Sequence, residues 1–199
     1  MSISPVALLL LVGLLFTLAF RLLSQLRREG LASQFTVEAL VLTGLGAAYS
    51  YVVAPLHPLL FLVLLYLITM RVRLLVDLGN SLAARRQYES ALGLFRLAMR
   101  LRPDDVGRRI VLINRGVTQL LMGAPEEARA SLAEALAQET TRLGAKYLAA
   151  GFYNLGLACQ RLGQEAEAIR RFNQAIDAFP ASIYARAAEQ ALKRIRGTG

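Results

Sequence analysis

Two residues of the kind that ligate metals or attack substrates occur once each in the 199-residue sequence, His57 and Cys159. A metal site needs several converging ligands, and a catalytic imidazole or thiol needs an acid or base beside it. His57 has no Cys, Asp or Glu near it in Pro55-Leu56-His57-Pro58 and reads as a turn residue at a water boundary. Cys159 falls on the packing stripe of a helix and reads as a small core residue. Being alone, it excludes an intramolecular disulfide framework and a multi-cysteine metal site. The acids group at helix starts, as in Asp104-Asp105 and Pro125-Glu126-Glu127, where a carboxylate offsets the positive end of the helix dipole. With no Ser/His/Asp set, no paired carboxylates facing a cleft and no phosphate loop, the sequence predicts no enzyme activity, no metal and no cofactor. Charge is the chemistry left over: 21 Arg and 2 Lys against 14 acids give a net charge of +9. The Arg-over-Lys bias hints at a GC-rich bacterial genome.

Helices must position these side chains. From Ala149 to Pro180 the chain reads as two short amphipathic helices folded on each other. Leu155, Gly156, Cys159 and Leu162 form the apolar stripe of the first, which Gly163 ends. Ala168, Phe172 and Ala175 form that of the second, at i, i+4 and i+7, and Pro180 closes the unit. Gly156 and Ala168 lack bulk, so two backbones can approach closely while Phe172 fills the space beside them.

The unit resembles a tetratricopeptide repeat (TPR), a 34-residue helical hairpin with Leu-Gly in its first helix and Ala, an aromatic, Ala and Pro in its second. The pattern recurs twice upstream. Leu78-Gly79 leads to Tyr88, Ala91, Phe95, Ala98 and Pro103. Gly116 leads to Gly123, Ala128, Leu132 and Ala135, with Arg115 in place of the Leu and Thr140 in place of the Pro. The three glycines lie 37 and 40 residues apart, a few more than the family period. The resemblance implies a right-handed all-α solenoid over 72–199, preceded in this chain by N-terminal helices expected to be transmembrane. Its repeats fall near 72–105, 109–142 and 149–182, and a capping helix near 182–196 begins at Ser182.

In that family the first helices line a concave groove that holds an extended peptide or a partner helix. The resemblance places in it Val76, Asn80 and Ala84 from repeat one, Ile113, Asn114 and Val117 from repeat two, and Tyr153, Asn154, Leu157 and Arg161 from repeat three. Asparagine amides there can donate to and accept from a peptide backbone. One subclass clamps a C-terminal carboxylate with two Asn and three cations. Asn80 and Asn114 match it, but Val76, Ala150 and Asn154 stand where the cations belong, so the clamp is not expected. The groove so read is mixed apolar and amide, suited to a helix or a hydrophobic segment of a protein partner.

The N-terminal third has a different character. Hydrophobic content of 55% and a mean hydropathy of +0.44 exceed those of an ordinary soluble domain. Three membrane helices are expected near 4–22, 37–54 and 56–71. A polar connector, 21–36, bears Arg21, Arg27 and Arg28, and the Pro55–Pro58 turn separates the second helix from the third. A cleaved signal peptide fits poorly, since no base precedes the apolar run and no A-x-A pattern follows it. Three crossings put Arg71 and Arg73 on the same side as Arg21–Arg28. By the positive-inside rule that side is the cytoplasm. Two crossings would separate them. Small residues Thr43, Gly44, Gly46, Ala47, Ala48 and Ser50 predict close helix packing within the membrane, or docking on a larger complex. With no Pro before the repeats and Gly79 assigned to repeat packing, the third crossing is expected to run straight into the first repeat helix as one rod of about 42 Å.

Residues 71–115 hold ten Arg against four acids, and 116–199 hold eight Arg and two Lys against eight acids. Arg71, Arg73, Arg85 and Arg86, close to the expected bilayer in sequence, are therefore expected to meet anionic lipid headgroups. Nucleic acid is not expected, because Tyr88 and Phe95 are repeat core positions and no reading helix is present. The sequence thus points to a multi-pass protein of the cell membrane, its cytoplasmic repeats docking or assembling partner proteins. The alternatives are an accessory subunit of a larger membrane complex and a lipid-binding or transport-associated protein. The oligomeric state is left open.

Overall fold

The computed structural model describes residues 4–26, 33–137 and 143–197. The described elements are ten helices: α1 (Pro5–Leu26), α2 (Ser33–Val52), α3 (Pro58–Thr69), α4 (Arg71–Ala84), α5 (Tyr88–Arg100), α6 (Asp105–Met122), α7 (Pro125–Leu136), α8 (Ala145–Arg161), α9 (Glu165–Ala178) and α10 (Ile183–Gly197). They fall into two compact units, Met1–Leu74 and Leu75–Gly199.

The first unit packs α1, α2 and α3 around an apolar core of Leu9, Phe16, Phe35, Phe61 and Leu65, yet its outer face is apolar as well. Thr17, Ser24, Thr43 and Ser50 are buried, while Leu11, Leu15, Leu22, Val41, Leu45, Leu60 and Leu67 face outward. Small residues make the contacts: a Cβ on Gly13 would meet Thr43 Oγ1 at 2.1 Å, and one on Gly46 would meet the Phe61 ring at 2.7 Å. Thr17 and Thr43 bond within their own helices, Thr17 Oγ1 donating to the Gly13 carbonyl at 2.8 Å and Thr43 Oγ1 to that of Ala39 at 2.7 Å, while Ser50 Oγ accepts from the Leu56 N–H at 3.4 Å. Rings of Phe16, Phe20, Phe35 and Tyr66 join all three helices at one end, with centroid separations of 4.7 to 6.3 Å.

Two sequence expectations change here, those of the connector and of the straight rod. The connector is shorter than 21–36: α1 continues through Arg21 to Leu26 and α2 starts at Ser33, while Arg27 and Arg28 lie outside the described residues. α1 and α2 are long and apolar enough to cross a bilayer, whereas α3 has 12 residues, about 18 Å of helix. The straight rod is also overturned. α3 ends at Met70, and α4 leaves at 70° to it. No Pro or Gly marks the break, which falls at Met70, at φ −99° and ψ 7°. Thr69 Oγ1 donates to the Leu65 carbonyl at 2.6 Å and Arg71 Nη1 to that of Ile68 at 2.8 Å, on either side of the break.

In the second unit α6/α7 and α8/α9 are helical hairpins, α10 packs on α9 and α8, and α4/α5 form a first hairpin in which Gly79 meets Phe95. One contact repeats. A Cβ on Gly79 would stand 2.5 Å from the Phe95 ring, one on Gly116 2.5 Å from Leu132, and one on Gly156 2.6 Å from the Phe172 ring, the partner lying sixteen residues on each time. Phe95, Leu132 and Phe172 are completely buried, each contributing roughly 2–3 kcal/mol of apolar burial. Asp104 caps α6 by accepting from the Gly107 N–H at 2.7 Å, Pro125 opens α7, and Ser182 Oγ caps α10 by accepting from the Ala185 N–H at 3.0 Å. Seven residues after each packing glycine the chain turns through the left-handed region, at Gly123 (φ 84°), Gly163 (φ 72°) and, in the first repeat, Arg86 (φ 61°).

Candidate partner-binding face

The residues assigned to a groove sit on α4, α6 and α8, the first helices of the three hairpins. Burial divides them. Val76 and Ile113 are in the core, and Ile113 Cδ1 would lie 3.4 Å from a Cβ on Gly151, so it fills the space between α6 and α8. Asn154 is buried too, its Nδ2 donating to the Ala150 carbonyl at 2.8 Å. These three are packing residues rather than surface.

Asn80, Ala84 and Arg161 are exposed, and Asn114, Val117, Tyr153 and Leu157 are half-buried. Asn114 spends one amide N–H on the Ile110 carbonyl at 2.7 Å, which leaves its other donor for a ligand. Tyr153 is wedged against the rings of Phe172 and Tyr184, at 5.9 and 6.1 Å, and so braces α8 against α9 and α10. Arg161 reaches from α8 to the last turn of α6, where Nη1 donates to the Leu120 carbonyl. The Leu120 carbonyl also accepts from the Gly123 N–H, so Arg161 adds a second bond there, one residue before Leu121, an exposed leucine one turn beyond Val117. Leu121 escaped the sequence assignment, although its i+4 spacing from Val117 was the available signal.

Three further polar contacts were not evident from sequence. Arg109 is buried, and its Nε donates to the Ala135 carbonyl at 2.6 Å, tying the start of α6 to the end of α7; burial lowers its pKa, an effect Asp105 partly opposes. Ser131 Oγ donates to Gln119 Oε1 at 2.7 Å inside the second hairpin. Arg71 holds Glu38 through two hydrogen bonds of 2.6 and 2.8 Å, bringing the chain after α3 back to the end where α2 began. Arg71 is thus an ion-pair member, whereas Arg73, Arg85 and Arg86 are exposed.

Cys159 lies at the foot of a cleft of about 770 Å³ lined also by Arg129, Ala133, Gln164 and Glu167. The thiol is 1% exposed, and burial pushes its pKa up, away from the reactive thiolate. Among the described residues no three His, Cys, Asp or Glu side chains are grouped as a metal site requires. His57 is exposed at the start of α3.

Residues 71–140 and 149–182 match the tetratricopeptide repeat family. The structure is similar to the Sgt2 TPR domain from Aspergillus fumigatus, with a TM-score of 0.54 and 22% sequence identity, over 64% of this chain and 80% of that one. No curated protein sequence matches the chain. The chain is a tetratricopeptide repeat protein, an all-helical repeat solenoid that serves as a protein-interaction scaffold.

Proposed function

We propose that this is a membrane-anchored scaffold. In this reading α1, α2 and the shorter α3 sit in the bilayer, and the repeats dock or assemble partner proteins at its surface. One observation carries the anchoring: the 4–74 unit turns leucines and valines outward along all three helices, while Thr17, Thr43 and Gly13 lie buried where the helices touch. Water would penalise that arrangement, and hydrocarbon favours it, because helices in lipid associate through small residues and satisfy polar groups internally.

The Glu38–Arg71 pair supports a sidedness as well. Arg71 returns to the end of the bundle where α2 starts, and in sequence Arg27 and Arg28 fall between the end of α1 and that start. The positive-inside rule then puts the repeats in the cytoplasm of a cell whose membrane holds the anchor. The docking face comprises Asn80, Asn114, Val117, Leu121, Leu157 and Arg161, an apolar strip edged by amides and one cation. It suits an amphipathic helix or apolar segment that carries an acceptor or acid for Arg161.

Alkaline carbonate treatment of membranes from expressing cells tests the anchor. The account expects the full chain to stay with the lipid, and external protease to leave its C-terminus intact in whole cells. Release into the soluble fraction would contradict the anchor, and digestion of the C-terminus from outside would reverse the sidedness.

A further inference from the structure

The outer face of α5 carries two parallel stripes. Arg96 and Arg100, four residues apart, are exposed on one, and Arg102 follows just past the helix end. Leu97 and Leu101 form the other, 43% and 36% exposed. A leucine pair left in water beside a row of cations is not what a solvated helix face needs. Nor does the repeat fold require it. The positions equivalent to Arg96, Leu97 and Arg100, counted from the packing glycine, are Ala133, Glu134 and Ala137 in the second hairpin and Asn173, Gln174 and Asp177 in the third. Dipole compensation accounts for Arg100 in the last turn of α5 but not for Arg96, a full turn earlier. The stripes occur only on the hairpin that the chain enters directly from the apolar helices.

We infer that this face of α5 is a second membrane contact, docking on an anionic bilayer surface with Leu97 and Leu101 at the acyl boundary and Arg96, Arg100 and Arg102 on the headgroup phosphates. The pattern is that of an interfacial amphipathic helix, apolar on one flank and arginine-rich on the other. Each arginine close to such a surface strengthens the contact by roughly fivefold at low ionic strength. The contact would hold the first hairpin against the lipid and leave the α6 and α8 faces for the partner. The inference rests on the membrane-anchored reading above.

The chain has no tryptophan, so a single Trp reports its own surroundings. The full chain carrying L97W is placed in bilayer discs of zwitterionic lipid or of mixed anionic lipid, each with brominated acyl chains as quenchers. Two references accompany it: L15W on the outward face of α1, and I183W on α10, where the side chain is 65% exposed. The expected result is blue-shifted, quenched emission from L97W in anionic discs, lost in R96E/R100E and on raising salt so that the Debye length falls from about 10 Å to about 3 Å. L15W should be quenched in both lipids and I183W in neither. Water-like L97W emission in anionic discs with L15W quenched would overturn this inference alone, as would quenching that survives charge reversal. Unquenched L15W would instead overturn the anchor. A blue shift of L97W that grows with protein concentration at constant lipid would assign the face to a second copy and overturn the lipid contact.

Discussion

Gly156 lies flat against the ring of Phe172, and a Cβ on the glycine would stand 2.6 Å from ring atom Cε1. The ring is completely buried and cannot swing away. Gly156→Ala therefore gains about 1 kcal/mol of helix propensity but loses about 1–3 kcal/mol to overpacking. At Gly93 the nearest obstacle is Arg96 Nη2, at 3.8 Å, so Gly93→Ala keeps the gain without the clash. Thermal unfolding should move Tm down for the first variant and up for the second; equal shifts would mean the close approach is not the basis of the hairpin.

Arg86 occupies the left-handed turn that Gly123 and Gly163 occupy in the other hairpins. A side chain there costs about 1–2 kcal/mol. Arg86→Gly should stabilise the chain by about 1 kcal/mol once the flexibility it adds to the unfolded state is counted, and Gly163→Ala should destabilise it by a similar amount. Urea unfolding of both variants checks the pair of signs.

The buried Ser131–Gln119 hydrogen bond takes the place of apolar packing in the second hairpin. Ser131→Ala strands the Gln119 amide oxygen and should cost about 1–3 kcal/mol. Changing both partners, S131A with Q119L, removes the orphan and should recover most of that loss. A double-mutant cycle by urea unfolding reads the coupling; additive losses would contradict it.

The Glu167 carboxyl is held below the usual glutamate range first by a hydrogen bond from Arg170, then by Arg171, against the opposing pull of burial. The folded chain thus binds its proton less readily than the unfolded chain. The resulting stability is present above the ordinary carboxylate range and is lost as pH falls through the depressed value. Over that acid window the urea midpoint should fall more steeply for the parent chain than for Glu167→Gln. Parallel curves would show that the pair with Arg170 and Arg171 contributes nothing.

The repeats were legible because their determinants are local and recurrent: a glycine, a bulky partner sixteen residues on, and alanines between. The face was legible only in part. Val76, Ile113 and Asn154 have the right helix and register, but a first helix in an array is packed by neighbours on two sides, and sequence spacing alone does not say how wide its exposed strip is. Arg86 hid a left-handed turn because the usual glycine is missing. The bend at Met70 hid for a related reason, since no Pro or Gly stands there as a sign. Glu38 and Arg71 stand 33 positions apart, and only the return of α3 against α2 brings them together.

Site-specific photo-cross-linking in native membranes tests the scaffold most directly. A photoreactive residue is placed in turn at Val117 and Leu157 on the first-helix face, and at Glu134 and Asn173 on exposed positions of second helices. The account predicts that Val117 and Leu157 capture the same protein, that Leu121→Asp abolishes both products, and that Glu134 and Asn173 capture none of it. Equal capture at all four positions, or adducts to lipid alone, would contradict it.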